Sequence, residues 1–144
     1  MTLDKKIKQL EEAQKSINKT VLDIVKDYEA EVLDLNTDDQ LFDKGIDSDG
    51  QSIEPEYRGL TISIKGIKGQ PTNRVTLRDT GDFHRSFDIE YFKDSFAIFA
   101  TDSKTKKLER KYGKAITGLT KESIKELREI INDDLFESIK KQIQ

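Results

Sequence analysis

Residues 87–101 read FDIEYFKDSFAIFAT, and the fold class turns on them. Phe87, Ile89 and Tyr91 alternate with Asp88 and Glu90, as in a strand with one face buried. Lys93-Asp94 follows as a turn. Ser95–Thr101 then supplies a second strand-like run, so the segment predicts a β-hairpin. Long stretches with helical spacing lie on both sides. Upstream, Ile7, Leu10, Ile17, Val21, Ile24, Tyr28, Val32 and Leu35 recur at steps near three, four or seven, which predicts a helix over Leu3–Leu35. Its first half, to about Thr20, is thin in large apolar residues and is expected either to pack on its own domain or to project toward a neighbouring subunit. Downstream, Thr120 caps a final helix to about Gln142, with the stripe Ile124, Leu127, Ile131, Leu135, Ile139 and Ile143. The expected fold is α+β: long N- and C-terminal helices packed on a small, mainly antiparallel sheet. One domain spans 1–144, with helix 1–36 followed by an α+β body over 37–144.

Between helix and hairpin the chain changes character twice. Asn36–Gln40 is expected to stop the first helix, with Thr37 and Gln40 forming a capping box for a short helix over Asp38–Lys44 that Gly45 ends. From Asp34 to Glu56 there are eight acidic residues and one lysine; from Tyr57 to Arg78 there are five basic residues and no acidic one. Asp43, Asp47, Asp49, Glu54 and Glu56 form a candidate acidic contact loop. Arg58, Lys65, Lys68, Arg74 and Arg78 form a candidate inter-subunit or DNA-facing basic set. Leu60–Ile64 alternates like a strand, Lys65–Asn73 reads as a loop with Gly66, Gly69 and Pro71, and Val75–Leu77 extends briefly. Lys104–Tyr112 reads as a short basic helix ended by Gly113.

Three local motifs suggest chemistry. The Asp47-Ser-Asp49-Gly50 run resembles a calcium loop, but with Gly50 at the sixth position Gly45 and Ser52 fall where an aspartate and an apolar residue are required. An Asp-Gly turn fits better. The stretch LRDTGDFHRSF, Leu77–Phe87, contains Asp79-Thr80-Gly81, the triplet of aspartic proteases, together with the only histidine, His84. That chemistry needs two carboxylates sharing a proton in a largely apolar β setting. Here Arg78, Asp82, His84 and Arg85 surround the aspartate. No Gly-x-Ser-x-Gly elbow accompanies His84 and Ser86, and no phosphate loop or dinucleotide fingerprint occurs. No catalytic residue, metal or cofactor is therefore assigned. The local reading of Leu77–Phe87 is a capped turn: Thr80 caps a short helix from Gly81, and Phe83 and Phe87 share its inward face.

Composition sets the outer bounds. Of 144 residues, 37% are charged and 34% hydrophobic, the net charge is −3, and there is no cysteine. The core is expected to be modest, and disulfides and cysteine zinc sites are excluded. The first residues lack a signal-peptide core, and no apolar run reaches membrane-span length, so a soluble, cytoplasmically made protein is expected.

The order of motifs carries a resemblance. An Asp-x-Asp-Gly turn is followed by Tyr57 and Thr61–Lys65, then a Gly-Pro loop. Next come Leu77, Thr80, Gly81, Phe83, Ser86 and Phe87 in a Leu-x-x-Thr-Gly-x-Phe-x-x-Ser-Phe pattern, then two strands. Tyr112, Gly113, Ile116, Gly118 and Leu119 lead into the terminal helix. Over about Gln40–Gln144 this resembles the tail-completion and virion-morphogenesis (neck, minor tail, head–tail joining) proteins of tailed bacteriophages. The resemblance implies a non-enzymatic structural ring subunit. It would be assembled in the host cytoplasm and built into the virion. Its partners would be itself and neck, portal or tail proteins, with non-specific contact to passing DNA and no membrane. The alternatives are an adaptor that binds a partner through its N-terminal helix, and a hydrolase using Asp79.

Overall fold

The computed structural model describes residues 2–143. Met1, Gln144 and the side chain of Ile143 lie outside the described residues. The elements in order are α1 (Leu3–Asp27), α2 (Glu29–Asp34), a π-helix (Leu35–Lys44), α3 (Gly59–Ile67), α4 (Asp82–Arg85), β1 (Phe87–Tyr91), β2 (Phe96–Ala100), α5 (Thr105–Tyr112), a 3-10 turn (Lys114–Ile116) and α6 (Lys121–Ile143). This is the α+β architecture expected from the flanking helices and the hairpin.

The hairpin forms in the register its alternation demands. Phe87 faces Ala100, Ile89 faces Ile98 and Tyr91 faces Phe96, in an antiparallel pair. Phe87, Ile89 and Ile98 point into the core, while Asp88, Glu90 and Phe99 point out. A two-stranded sheet is marginal alone, and α2 supports it: the Tyr91 hydroxyl donates to Glu29 Oε1 at 2.6 Å.

Two helical layers close the core. Tyr28 donates to Asp134 at 2.7 Å, and Gln142 Nε2 donates to the Thr20 hydroxyl at 2.8 Å. Together with the Gln40–Thr120 contact described below, these fix α6 antiparallel to the α1–α2–π-helix arm. Ile24, Val25, Val32, Leu35 and Leu41 meet Leu127 and Ile131 in one apolar cluster that also takes in Phe83, Phe87, Ile89 and Ile98. Thr120 caps α6 as expected, its hydroxyl accepting from Ser123 N at 3.0 Å.

The first helix starts at Leu3 as expected but departs from expectation twice further along. It breaks at Tyr28, whose backbone leaves the helical region at φ −115, ψ 25. It then does not stop at Asn36–Gln40 but continues, wound as a π-helix, until Gly45 ends it in the left-handed conformation at φ 63. Thr37 caps nothing; its hydroxyl bonds back to Leu33 O at 3.0 Å. The reason lies in the two amide side chains. Asn36 Nδ2 donates to Ile116 O at 3.2 Å and Asn36 Oδ1 accepts from Gly118 N at 2.7 Å. Gln40 Nε2 donates to Gly118 O and Gln40 Oε1 accepts from Thr120 N, both at 2.9 Å. Both side chains are fully buried. Residues 36 and 40 lie four apart, so both face the chain at Ile116–Thr120. A cap role would have spent these groups on the helix's own end.

The second departure is Leu60–Ile64. The run is helical, within α3, and the loop expected over Lys65–Asn73 begins only after Ile67. Alternation over five residues needs a neighbouring strand to become a strand, and the hairpin pairs only with itself. As a helix, the segment turns Lys65 inward, where its Nζ donates to Arg78 O at 3.2 Å and Gln70 Oε1 at 3.4 Å. In Val75–Leu77 the first two residues are buried and Leu77 half-buried, and the segment joins no sheet.

The clamp yields a quantitative expectation. Gln40→Leu leaves the Gly118 carbonyl and the Thr120 amide without partners. Each such buried group costs about 1–3 kcal/mol. Chemical denaturation should therefore show a loss of roughly 2–5 kcal/mol, whereas Thr37→Ala should cost well under half of that. Equal losses at the two positions would favour the capping-box arrangement.

Candidate functional site

The polar corner at Leu77–Phe87 is built around Thr76, which is fully buried. Its backbone N–H donates to the Tyr57 hydroxyl at 2.9 Å, its own hydroxyl accepts from Arg78 N at 3.2 Å, and its carbonyl lies 2.9 Å from His84 Nε2. A carbonyl only accepts, so Nε2 carries the proton. His84 Nδ1 is buried without a partner. Burial pushes the imidazole below its ordinary pKa, against the bond to Thr76, and the nearby Arg78 charge adds to the depression.

The rest of the stretch is structural in the same sense. Gly81 takes φ 90, and α4 starts beside it with Asp82 N donating to the Thr80 hydroxyl at 3.3 Å. A side chain at Gly81 would sit 2.7 Å from the Arg85 guanidinium. Leu77 also adopts a positive φ of 57, a costly conformation for a branched residue that the surrounding bonds hold in place. Phe83 and Phe87 meet edge to face with centroids 5.0 Å apart, both buried. Ser86 Oγ donates to Phe83 O at 2.7 Å and accepts from Thr101 N at 3.2 Å, so it ties α4 to the end of β2.

The would-be catalytic groups are not brought together. Asp79 accepts from Lys68 at 2.8 Å and from Gln70 at 3.2 Å. Those two bonds hold its carboxyl below the usual carboxylate range. Asp82 pairs with Arg85 through its carboxylate, and its backbone N–H donates to the Thr80 hydroxyl. Ser86 and His84 each bond backbone rather than one another. A carboxylate lowered in this way and held by a lysine is poorly suited to sharing a proton.

The acidic and basic segments meet within one chain. Asp43, Glu54 and Glu56 line a cleft with Arg74 and Tyr57. Four of the five expected cations are engaged internally. Lys65 is buried over the Tyr57 ring, and Lys68 holds Asp79. Arg74 Nε donates to Phe42 O at 2.7 Å, and Arg78 lies over the Phe42 ring at 4.8 Å. Arg58 is exposed. Close approach of Arg74 to the backbone requires Gly45, since a Cβ there would fall 2.8 Å from Arg74 Cβ. Asp47 Oδ1 accepts from Asp49 N and Gln51 N at 2.9 and 3.0 Å, the geometry of an Asp-Gly turn. Asp49 is exposed on that turn, and among the described residues no three carboxylate or imidazole groups converge on a metal-sized site.

What sequence reasoning missed is apolar. On α3, Leu60 and Ile67 are 75% and 88% exposed, and Ile62 and Ile64 are exposed as well, while the helix's lysine is buried. Leu60, Ile64 and Ile67 share one face. An α1 stripe is bare in the same way: Leu3 and Leu10 are 72% and 70% exposed, and Ile7 and Ile17 are exposed too. Val21, Leu22, Phe96, Ile98, Leu119 and Ile124 line an apolar groove of ≈ 500 Å³ between α1, β2 and α6. The signal for α3 was present in its composition: five residues in Leu60–Ile64 contain no charge, which suits a contact face as well as a strand. The chain matches no family model, and no curated protein or solved structure is significantly similar to it.

The depressed pKa of His84 gives a pH test. The native state takes up a proton at His84 less readily than the unfolded chain, which binds one below about pH 6.5. Stability should fall as pH drops from 7 toward 5, before the carboxylates titrate. In His84→Gln that slope should be flatter, as read from urea midpoints across the range. Identical slopes would mean that the ring is protonated in place.

Proposed function

We propose that this chain is a structural virion protein of a tailed bacteriophage, a subunit of the neck, connector or tail-completion ring at the head–tail junction, acting without catalysis. The observation that carries this reading is the inverted helix α3, which buries Lys65 and offers Leu60, Ile64 and Ile67 to solvent. Exposed apolar faces of this kind mark contact surfaces. Burying each of these side chains would contribute about 1.5–3 kcal/mol, enough together to drive association. The apolar groove beside β2 is a second, different surface, and two unlike surfaces on one chain are what a closed ring of heterologous contacts requires. The motif order around Thr80–Phe87 and Tyr112–Leu119 supports the same setting by resemblance.

The partners in this reading are further copies of the chain and neighbouring portal, neck or tail proteins, in a virion assembled in the host cytoplasm. Contact with passing DNA is non-specific and weak, because most of the basic segment is spent on internal bonds. No described helix is long and apolar enough to cross a membrane. The adaptor alternative is favoured by a separate observation, the bare stripe Leu3, Ile7, Leu10 and Ile17. The hydrolase alternative asks Asp79 to exchange a proton while Lys68 and Gln70 hold it ionised.

Light scattering with negative-stain imaging tests the proposal. The purified protein, alone or mixed with the portal and tail proteins of its own phage, should give rings or join a ring-shaped complex. Ile64→Glu should abolish that association and leave the thermal midpoint of the isolated body unchanged. A protein that neither forms rings nor binds any virion component would overturn the reading.

A further inference from the structure

We propose that β2 is a docking edge for a second copy of this chain, and that two β2 strands pair antiparallel across a two-fold axis into a four-stranded sheet. The two ends of the hairpin show which way the backbone groups point. Phe92 N donates to Ser95 O at 2.8 Å, and Thr101 N donates to Ser86 O at 3.1 Å. Both couples continue the register of the strands, in which Asp88 faces Phe99 and Glu90 faces Ala97. In an antiparallel pair every second couple exchanges both bonds. Asp88, Glu90, Ala97 and Phe99 therefore turn their N–H and C=O groups toward the partner strand. Phe87, Ile89 and Tyr91 turn theirs to the outer edge of β1, and Phe96, Ile98 and Ala100 turn theirs to the outer edge of β2.

The two edges differ. On β1 the Ile89 N–H is taken by Asp88 Oδ1 at 2.8 Å, and α2 packs on the strand with Glu29 bonded to Tyr91. On β2 no described group bonds the N–H or C=O of Phe96, Ile98 or Ala100. That edge fronts the open groove of ≈ 500 Å³, which the five consecutive residues Asp94–Ile98 line. Protected edges carry a charge, a proline or a bulge. Phe96–Ala100 reads Phe-Ala-Ile-Phe-Ala and has none of these, and its Phe99 is 38% exposed.

A row of outward N–H and C=O groups at strand spacing is matched in full only by another extended backbone. The sequence of β2 fits its own copy. With Ile98 on the axis, Ile98 exchanges two bonds with Ile98 of the second copy, and Phe96 exchanges two with Ala100 at each end. On one face each Phe96 then lies opposite Ala100, and on the other each Phe99 lies opposite Ala97. Every ring meets a small side chain, and no charge enters the ladder. Sliding the pair by two residues puts Phe96 opposite Asp102 or Ala100 opposite Asp94, so the register is specified. In the proposed register Asp94 and Asp102 face each other just outside the ladder and limit its length. This inference does not rest on the virion reading. The contact is isologous and lies on the hairpin, so α3 stays free for other contacts.

Sedimentation equilibrium of the wild type should show a monomer–dimer equilibrium. Ala100→Pro removes an outward N–H and spares the β1–β2 bonds. It should keep the thermal midpoint and weaken the dimer at least about ten-fold, since each dimer loses two hydrogen bonds. Asp102→Asn should tighten the dimer roughly two-fold by removing the like-charge contacts at its ends. The chain has no cysteine, so single cysteines report cleanly. Ala97 and Phe99 of opposite copies would stand about 4.5 Å apart between Cα atoms, within disulfide reach. An oxidised mixture of Ala97→Cys and Phe99→Cys should therefore give the mixed disulfide ahead of either homodisulfide. A monomeric wild type overturns the proposal, as does a dimer that Ala100→Pro leaves unweakened or a homodisulfide that outruns the mixed one.

Discussion

Four hydrogen bonds from two buried amides hold this molecule's two halves to each other. Asn36 and Gln40 each present one donor and one acceptor to the backbone of Ile116–Thr120, and all four are used. The pair stands in for a strand: it satisfies a segment that joins no sheet, just before that segment turns into α6. The start of α6 is thereby fixed against the π-helix, and its antiparallel course along α2 and α1 follows. A core with few large apolar side chains depends more heavily on such a contact, because a half-satisfied buried amide is worse than none.

The same economy appears at the corner around Thr76. The segment Val75–Leu77 has no β partner, so Tyr57, Arg78 and His84 satisfy the polar groups of Thr76 instead. Lysines and arginines that looked free in the sequence are spent in the same way, on carbonyls, a carboxylate and aromatic rings. Polar and charged groups thus do much of the interior work, and several long apolar side chains are left outside. On α3 and on the first half of α1 those side chains line up on helical faces.

Much of this was legible in the residues. The hairpin, the Thr120 cap and the inward pair Phe83 and Phe87 all followed from local patterns, because each is decided within a few residues. The helix over Leu60–Ile64 was not legible, since strand alternation is a promise that only a neighbouring strand can keep. The π-helix was hidden for a related reason. Asn36, Thr37 and Gln40 look like a helix boundary until the chain at Ile116–Thr120, 78 to 82 residues away in sequence, gives the amides something better to bind. Of the candidate site, the importance of Thr80, Gly81 and Phe83 was readable; the commitment of Lys65, Arg74 and Arg78 to internal partners depended on tertiary contacts and was not.

Residue-resolved hydrogen exchange at low and high protein concentration tests the central claim, that buried amides close the body while apolar helix faces wait outside it. The amides of Gly118 and Thr120 should exchange as slowly as those of Leu127 and Ile131 at either concentration. Those of Leu3–Lys19 should exchange quickly in dilute solution. Rapid exchange at Gly118 and Thr120, together with protection of Leu3–Lys19 in dilute solution, would contradict it.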